Sequence, residues 1–369
     1  MGTLVLGSGI VGSAAVWDLV RRGHDVTVAD VDLSAAESVA AANHARAIRL
    51  DVSDIAALAS ALDACDIVVS AVPYRFGASV ARAALMAGTH YLDFGGNPSV
   101  VAAQKELHDD ALAAGVMIVP DCGLAPGLAN VVAEDLIASA DEGPIDSIQI
   151  RVGALPQQPL GIFGYQLAFS PEGLINEYAE PCEVIEHGRY GTVEPLTRFE
   201  DVTWEGWGPL EAFSTAGGTS TMASRHTDRV RNLEYKTLRF PGHGRLFRSM
   251  LEIGLFEESK RIVGTTEVAP RDVLLNALDH TLPRGEPDVV LIRVWRDQGD
   301  SRLAYQMVDT EQDGFSALAR TTAFPATALG DLIARGIVDR PGVATMNEAV
   351  NGKDLLPELV PVGIEFEEV

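Results

Sequence analysis

The sequence contains few cysteines. Three occur among its 369 residues, namely Cys65, Cys122 and Cys182. They are widely spaced, with no C-x-x-C pair and no histidine pair nearby, and this argues against a disulfide framework and against a zinc site. We therefore expect no metal, and a protein that works in a reducing compartment.

Positive charge is also scarce. Lysine and arginine number 28 against 52 aspartates and glutamates, which gives a net charge of −24. Nucleic acids and anionic membranes need a basic surface, so we expect neither as a partner. No apolar run reaches the length of a membrane span, and nothing before the first predicted strand fits a signal peptide. We expect a cytoplasmic protein whose partner is a small molecule.

The remaining composition is that of a globular protein. Apolar residues make up 47% of the chain and charged residues 22%, which makes disorder an unsuitable description. A chain of 369 residues is too long for one small core and suits two domains. The excess of acid is compatible with a cationic substrate.

A glycine-rich turn near the start is the most informative motif. The apolar run 3–6 leads directly into Gly7-Ser8-Gly9-Ile10-Val11-Gly12, and helical spacing follows. Gly7 permits a tight turn, Gly9 lets the backbone approach a pyrophosphate, and Gly12 allows close packing of helix on strand. The pyrophosphate would lie at the positive end of the following helix.

An acid closes the motif. Residues 25–30 form a buried strand that ends in Asp30, and no lysine or arginine follows until Arg46. A carboxylate at this place accepts hydrogen bonds from both ribose hydroxyls and repels a 2′-phosphate. We therefore predict NAD rather than NADP as the cofactor, with Asp32 as the second choice for the ribose contact.

The first third of the chain alternates strand and helix, which predicts a doubly wound parallel sheet. Its ligand would lie beyond the carboxyl ends of the strands. The predicted cofactor contacts are therefore the residues that follow strands: Gly7, Ser8, Gly9, Ile10, Val11, Gly12, Asp30, Asp51, Val52, Ala71, Val72, Pro73, Cys122, Gly123 and Pro126.

From residue 145 the pattern changes to alternating strands separated by Gly, Pro and charged turns, including 147–153, 233–239, 289–295 and 303–308. This predicts an α+β catalytic domain with a mostly antiparallel sheet. The helical spacing of 317–336 and the broken tail after it predict a return to the first domain. The predicted domains are thus 1–125, 126–316 and 317–369.

The chain resembles the saccharopine dehydrogenase-like family, and within it the lysine 6-dehydrogenases. Several segments spread along the chain carry the resemblance beside the glycine turn: Asp93-Phe94-Gly95-Gly96, 118–130, 208–213, 217–221, 233–239, 241–243, 270–274 and 319–323. The resemblance implies a Rossmann domain with an inserted catalytic domain, NAD-dependent oxidation of the L-lysine side-chain amine, and homodimers. The segment 161–167 departs most from the lysine enzymes, which puts the substrate in doubt more than the reaction.

Two carboxylates follow the fifth and sixth predicted strands and are candidate catalytic groups. Asp93 or Asp121 could hold the incoming ammonium or relay its proton, because hydride cannot leave its carbon until the nitrogen is deprotonated. The alternative for Asp93 is a helix or turn cap that supports Gly95 and Gly96, and for Asp121 it is orientation of the Cys122-Gly123 backbone beside the cofactor. That thiol would touch the nicotinamide and needs no nucleophilic role.

Further candidates come from the second domain. Lys236 and Arg239 lie three residues apart on one predicted strand, so they face opposite sides and only one easily reaches the site. The resemblance favours Lys236 as carboxylate partner or proton carrier, and the alternative is a surface lysine. His243 is a proton carrier or a satisfied loop histidine. The predicted substrate contacts, each with a structural alternative as core or turn, are Tyr165, Phe169, Gly218, Thr219, Ser220 and Tyr235.

Three functions remain open at this point. The first is NAD-dependent oxidative deamination of the side-chain amine of L-lysine or a close amino acid or diamine, with ammonia released and the semialdehyde cyclising. The second is an imine-reducing enzyme of the saccharopine or carboxy-polyamine type. The third is a non-catalytic NAD-binding sensor.

Overall fold

The computed structural model describes residues 1–95 and 97–369. Its strands are, in chain order, β1 (Gly2–Leu6), β2 (Asp25–Asp30), β3 (Arg46–Arg49), β4 (Ile67–Ser70), β5 (His90–Asp93), β6 (Met117–Val119), β7 (Ser147–Pro156), β8 (Cys182–Glu186), β9 (Arg189–Val193), β10 (Glu200–Trp204), β11 (Gly208–Ser214), β12 (Leu233–Arg239), β13 (Arg261–Val263), β14 (Thr266–Val268), β15 (Asp288–Gln298), β16 (Ser301–Thr310), β17 (Gly342–Val343) and β18 (Glu367–Glu368).

The α-helices are α1 (Ile10–Arg21), α2 (Leu33–Asn43), α3 (Ile55–Leu62), α4 (Gly77–Ala87), α5 (Pro98–Lys105), α6 (His108–Ala114), α7 (Leu128–Ala138), α8 (Pro171–Ala179), α9 (Met222–Arg225), α10 (His243–Glu252), α11 (Pro270–Thr281), α12 (Ala317–Ala334), α13 (Met346–Ala349) and α14 (Gly352–Leu355). The predicted helix over 100–113 is two helices, because the Leu107 amide bonds Gln104 three residues back and breaks the four-residue pattern.

The chain divides into two compact units. Unit 1 comprises Met1–Ser139 and Ala319–Glu365, and unit 2 comprises Ala140–Leu318 and Phe366–Val369. The boundary lies after α7 and not at residue 125, because that helix packs with unit 1. The last residues belong to unit 2, since β18 pairs with β16.

Unit 1 is built on a seven-stranded sheet in the order β17-β6-β5-β4-β1-β2-β3. All of its pairings are parallel. The apolar strand β4 is buried along its whole length, as expected for a sheet covered by helices on both faces. The strand order reverses between β1 and β4, which is where a doubly wound sheet opens a crevice for a ligand.

Unit 2 contains a nine-stranded sheet whose main path is β10-β11-β12-β7-β15-β16-β18. The pairing of β12 with β7 is parallel and the others are antiparallel, so the predicted mostly antiparallel sheet and the α/β class are confirmed. Two apolar clusters lie against it, one around Tyr178, Phe213 and Phe247 and one around Trp204 and Leu238. Phe213 of β11 belongs to the first cluster and its neighbour Ala212 to the second, so the two clusters occupy opposite faces of the sheet.

Candidate functional site

The glycine-rich turn of unit 1 has the geometry of a pyrophosphate cradle. Gly7 has a φ of +96°, which favours glycine. A Cβ at Gly12 would lie 2.0 Å from the Gly7 carbonyl oxygen, so no side chain fits there. Open space surrounds the position of a Cβ at Gly9, and α1 begins at the next residue. The turn thus leaves bare backbone facing the positive end of a helix, which suits an anionic group.

Asp30 is held in place at the end of β2. Its Oδ2 accepts hydrogen bonds from the Ser8 amide at 2.8 Å and the Ser8 hydroxyl at 2.7 Å, and its Oδ1 accepts one from the Asp32 amide at 3.0 Å. Burial raises the pKa of Asp30, but these hydrogen bonds outweigh it and hold the pKa below its usual value. The group is therefore an ionised acceptor with remaining lone pairs for ribose hydroxyls.

The other predicted cofactor contacts lie at the following strand ends. The Ala71 carbonyl backs Gly7, since a Cβ there would lie 2.7 Å from its oxygen. Val72 packs partly against the core and Val52 lies within it. Asp51 accepts hydrogen bonds from the amide and hydroxyl of Ser53, so its carboxylate closes a turn. Pro73 directly precedes a short 3₁₀ helix, Tyr74–Phe76.

Asp93 is buried and fully hydrogen-bonded. Its Oδ2 accepts from the Tyr91 hydroxyl at 2.8 Å and Gln104 Nε2 at 2.6 Å. Its Oδ1 accepts from the Gly95 amide at 2.8 Å and the Asp121 amide at 3.3 Å. Burial raises the pKa of Asp93. These contacts are those of a turn support, and Gly96 of the same motif lies outside the described residues.

Asp121 and Cys122 follow β6 in a tightly packed loop. Asp121 is buried with a φ of +61°, and a Cβ at Gly95 would lie 1.9 Å from its Oδ1. The Cys122 thiol donates to the Val119 carbonyl at 3.2 Å. Burial raises the pKa of this thiol well above its usual value, so it stays protonated. Gly123 pairs with Gly127 across the loop.

In unit 2, the two cations of β12 point to opposite faces of the sheet, as the sequence predicted. The Lys236 ammonium lies 2.9 Å from Glu200 and 3.3 Å from Glu234. Arg151 contacts the same two carboxylates at 2.8 and 2.9 Å. The charge of Lys236 is therefore used within a network of ion pairs.

Arg239 lies among aromatic rings on the other face and is 3% exposed. Its Nε donates to the Tyr178 hydroxyl at 3.1 Å, its Nη1 donates to the Leu238 carbonyl at 3.0 Å, and its guanidinium lies 5.0 Å from the ring centre of Tyr165. Glu211 is opposite it in the ladder, but that carboxylate accepts from the amides of Gly242 and Gly244. No carboxylate of residues 1–95 or 97–369 lies within 4.0 Å of the guanidinium.

His243 supports the arginine from behind. One of its ring nitrogens is 2.9 Å from the Tyr178 hydroxyl, and the other is 2.9 Å from the Phe163 carbonyl. Burial, with help from the charge of Arg239, lowers the pKa of His243 to about 3. The imidazole is thus neutral and satisfied on both sides, which matches the structural alternative named for it from the sequence.

Glu177 joins this group and was missed by the sequence reasoning. It lies on α8 immediately before Tyr178, and burial raises the pKa of its carboxyl to about 7, although the nearby Arg239 acts to lower it. A signal was present, since Glu177 follows the buried Leu174 by three residues and so shares its helical face. A glutamate on an apolar helix face calls for an explanation.

The loop 217–221 packs on the face of β12 that carries Arg239. A Cβ at Gly218 would lie 2.4 Å from ring atoms of Tyr235, so the glycine lets the ring lie against backbone. Thr219 is buried and Ser220 has a φ of +49°. Phe169 lies further along, against Gly173 at the start of α8. Of the predicted substrate contacts, Tyr165, Tyr235 and Gly218 therefore join what we call the Arg239 cluster: Tyr165, Glu177, Tyr178, Gly218, Tyr235, Arg239 and His243.

Among the residues that the structure describes, no three His, Cys, Asp or Glu side chains come together as metal ligands would. Within that same part of the chain, no helix has both the length and the apolar character needed to cross a bilayer.

Comparison with known proteins gives a consistent result over almost the whole chain. The family profile described as "Saccharopine dehydrogenase NADP binding domain" matches residues 3–119, and "Saccharopine dehydrogenase C-terminal domain" matches residues 123–364.

Several of the similar curated proteins are fungal. A saccharopine dehydrogenase (NADP(+), L-glutamate-forming) from Pyricularia oryzae is 25% identical over 99% of this chain and 98% of its own length. Its namesake from Saccharomyces cerevisiae is 24% identical over 80% of this chain and 68% of its own length. The Schizosaccharomyces pombe protein of that name is 27% identical over 69% of this chain and 58% of its own length.

A solved structure shows the same fold. The apo saccharopine dehydrogenase (L-Glu forming) from Saccharomyces cerevisiae superimposes with a TM-score of 0.82, at 19% identity, over 100% of this chain and 99% of that one.

Proposed function

We propose that this chain, which belongs to the saccharopine dehydrogenase family of oxidoreductases, oxidises the side-chain amine of L-lysine, or of a close amino acid or diamine, with NAD. The amine, the oxidised cofactor and water give the semialdehyde, ammonium, the reduced cofactor and a proton, and the semialdehyde cyclises with the α-amine. The observation that carries this proposal is the buried Arg239, which no carboxylate of the described chain pairs.

An unpaired buried guanidinium is costly, because it loses hydration without gaining an ion-pair partner. Its planar fork is well suited to bind a carboxylate through two hydrogen bonds. Nη1 and Nε of Arg239 are each used once, and a bound amino-acid carboxylate would complete the coordination. The rings of Tyr165 and Tyr235 would then line the aliphatic part of the substrate.

The charges of the Arg239 cluster support a substrate with one carboxylate and an amine on its side chain. Arg239 offers one anion site, and Glu177 beside it offers a site for a cation. A saccharopine-type substrate carries two amino-acid portions and needs further carboxylate anchors. The names of the fungal relatives support that second candidate nevertheless, as an enzyme that joins or splits an amino acid and an oxo acid.

For the cofactor, Asp30 supports NAD. Its ionised carboxylate at the end of β2 would accept hydrogen bonds from the ribose hydroxyls and repel a 2′-phosphate. Arg49 lies beside it, and its Nε already donates a hydrogen bond to the Val31 carbonyl. The matched family profile and the relatives carry NADP in their names, so the cofactor preference of this chain would differ from theirs.

In this reaction the bound nucleotide would accept the hydride from the carbon that carries the amine. The glycine turn and α1 would hold its pyrophosphate, and Asp30 would fix its ribose. Arg239 would orient the amino acid by its carboxylate. The roles of Asp93, Asp121 and Lys236 in proton transfer stay predictions, although the four donors on Asp93 and the ion pairs of Lys236 favour structural roles for both.

A spectrophotometric panel tests the proposal. Purified protein with L-lysine and NAD at alkaline pH should produce the reduced cofactor, and NADP should be a much poorer substrate. Lysine, ornithine and diamines all failing to react would refute it. Oxidation of reduced cofactor only when an amine and an oxo acid are both supplied would establish the second candidate. The predicted homodimer is tested separately, by light scattering after size-exclusion chromatography, which measures the mass of the protein in solution.

A further inference from the structure

Glu177 occupies a fixed position at the last turn of α8. Its backbone carbonyl accepts the Ala216 amide at 2.9 Å, which ties the helix to the residues after β11. Its side chain is partly buried. Throughout the described residues, no hydrogen bond or ion pair involves its carboxyl group, so this acid is held in place by its backbone while its carboxyl oxygens are unused.

Three buried acids of the described chain show the usual arrangement, in which the fold occupies the carboxyl oxygens. Asp93 accepts four hydrogen bonds. Glu211 binds two amides at the start of α10, and Asp288 binds the first amides of α12. The Glu177 carboxyl differs from these acids, because among the described residues its oxygens are neither hydrogen-bonded nor enclosed and a ligand can reach them.

The groups that face Glu177 come from three elements and the loop before α8. Arg239 and Tyr235 reach it from β12, Tyr178 from its own helix and Tyr165 from the preceding loop. His243 of α10 lies behind Tyr178 and is neutral. The only one of these five that is charged near neutral pH is Arg239, so Glu177 is the acid available to a cationic ligand that Arg239 also orients.

Burial raises the pKa of the Glu177 carboxyl to about 7, which gives it comparable amounts of both protonation states near neutral pH. A group of this kind can accept a proton and give it up again. The reaction proposed above requires such a group, because an ammonium nitrogen has no lone pair to support the departure of hydride from its carbon.

We propose that the Glu177 carboxylate binds the side-chain ammonium of the substrate and accepts one of its protons before the hydride leaves. This inference rests on the proposed function. The ammonium loses one N–H proton to a carboxylate oxygen and becomes a neutral amine with a lone pair. Departure of the hydride to NAD then gives an iminium, which water converts to the aldehyde and ammonium. Arg239 would bind the carboxylate and Glu177 the side-chain amine of the same amino acid.

The test uses Glu177→Gln, with Glu180→Gln as the matched control. Glu180 lies three residues further on and interacts with Arg271 instead of the Arg239 cluster. We expect the Glu177 variant to lose about 100-fold in kcat with lysine at neutral pH and to lose the rising limb of the pH profile near pH 7. Raising the pH towards that of the free amine should restore much of its rate, because solvent then supplies the deprotonated substrate.

A binding experiment distinguishes failure of the role proposed for Glu177 from failure of the proposed function. Lysine should raise the thermal midpoint of the wild type and of the Glu180 variant, and raise that of the Glu177 variant much less. A Glu177→Gln enzyme that keeps the wild-type rate, pH limb and lysine response overturns this inference alone. A wild type that neither turns over nor binds any amine of the panel overturns the proposed function and this inference with it. Amine turnover that is intact in both variants leaves the proposed function standing and removes Glu177 from it.

Discussion

The two faces of β12 treat a buried cation in opposite ways. On one face Lys236 shares Glu200 and Glu234 with Arg151, and all four side chains pair at 2.8 to 3.3 Å. On the other face Arg239 has hydroxyl, carbonyl and ring contacts but no carboxylate within 4.0 Å among the described residues.

This difference distinguishes buried charges that stabilise the fold through ion pairs from buried charges that are able to bind a ligand. A paired set of buried charges has already offset its desolvation and is costly to disturb from either side. A buried cation without an ion-pair partner has offset less of it, so a complementary anion binds there with gain. A cavity of about 290 Å³ opens on the Lys236 face, yet Arg151 and Glu200 in its wall are already paired with each other.

The largest expected effect is therefore that of Arg239→Met. Removing two charge-assisted hydrogen bonds to a substrate carboxylate should lower kcat/KM with lysine by about 100-fold, that is by about 2.7 kcal/mol. Most of the loss should be in KM, and binding of NAD should be unchanged. Steady-state kinetics and a cofactor titration measure both.

Lys236→Met is the matched control on the opposite face. It leaves Glu200 with Arg151 alone and Glu234 with Arg151 and the more distant Arg198 at 3.8 Å, so we expect a lower thermal midpoint and a KM for lysine within about threefold of the wild type. A variant of Lys236 that folds normally and loses lysine, beside an unaffected Arg239→Met, would reverse our assignment of the two faces.

The same contrast exists between the carboxylates Asp93 and Glu177. Asp93→Ala would remove the acceptor of four donors, of which the Tyr91 hydroxyl can still use the Gly77 carbonyl at 3.3 Å, and this should cost about 2 kcal/mol and lower the midpoint of unit 1 by roughly 4–8 °C. Asp93→Asn should be milder, since Gln104 can turn its unpaired Oε1 towards the new amide. Thermal unfolding followed by circular dichroism measures both variants.

Activity of the Asn variant decides the role of Asp93. As a turn support, it should keep turnover within about tenfold when asparagine preserves the hydrogen bonds. A well-folded Asp93→Asn that binds NAD and does not turn over would instead make this aspartate a catalytic acid or base, as the sequence predicted.

The sequence predicted unit 1 better than unit 2, and the reason is local. The turn from Gly7 to Gly12, the helix Ile55–Leu62 and the strand ends follow from glycine conformations and apolar periodicity within short windows. Even the opposite orientation of Lys236 and Arg239 follows from strand geometry alone.

What could not be predicted depends on contacts distant in sequence. Which face of β12 carries ion pairs is decided by Glu200, which is 36 residues from Lys236 in the chain. The position of Glu177 on the apolar face of α8 is visible in the sequence, but its neighbours Arg239 and Tyr235 are not. The break between α5 and α6 and the boundary after α7 also depend on packing, since the local pattern is continuous there.

A smaller effect concerns pH and stability. The carboxyl of Glu177 has a pKa of about 7 in the folded chain against 4.5 as its ordinary value. The folded state thus binds the proton more tightly, so this stabilising contribution is complete below pH 4.5 and is lost as pH rises through 7. Relative to Glu177→Gln, the wild type should lose about 1–2 kcal/mol between about pH 5 and pH 8. Urea unfolding of both proteins across this range measures the difference, and parallel curves would contradict the assigned pKa.

The smallest effect is expected at Cys122. Its thiol is buried, donates to the Val119 carbonyl, and has a pKa raised well above the usual value by burial and by the neighbouring Asp93 and Asp121 charges. A protonated, enclosed thiol is a poor nucleophile, and transfer of hydride from an amine needs no covalent step. Cys122→Ala should keep kcat within about threefold of the wild type, with at most a modest loss of stability from one removed hydrogen bond.

Iodoacetamide should leave the native enzyme active for the same reason. Rapid inactivation that tracks alkylation of this one cysteine, with NAD protecting, would instead show a reactive thiolate at the end of β6.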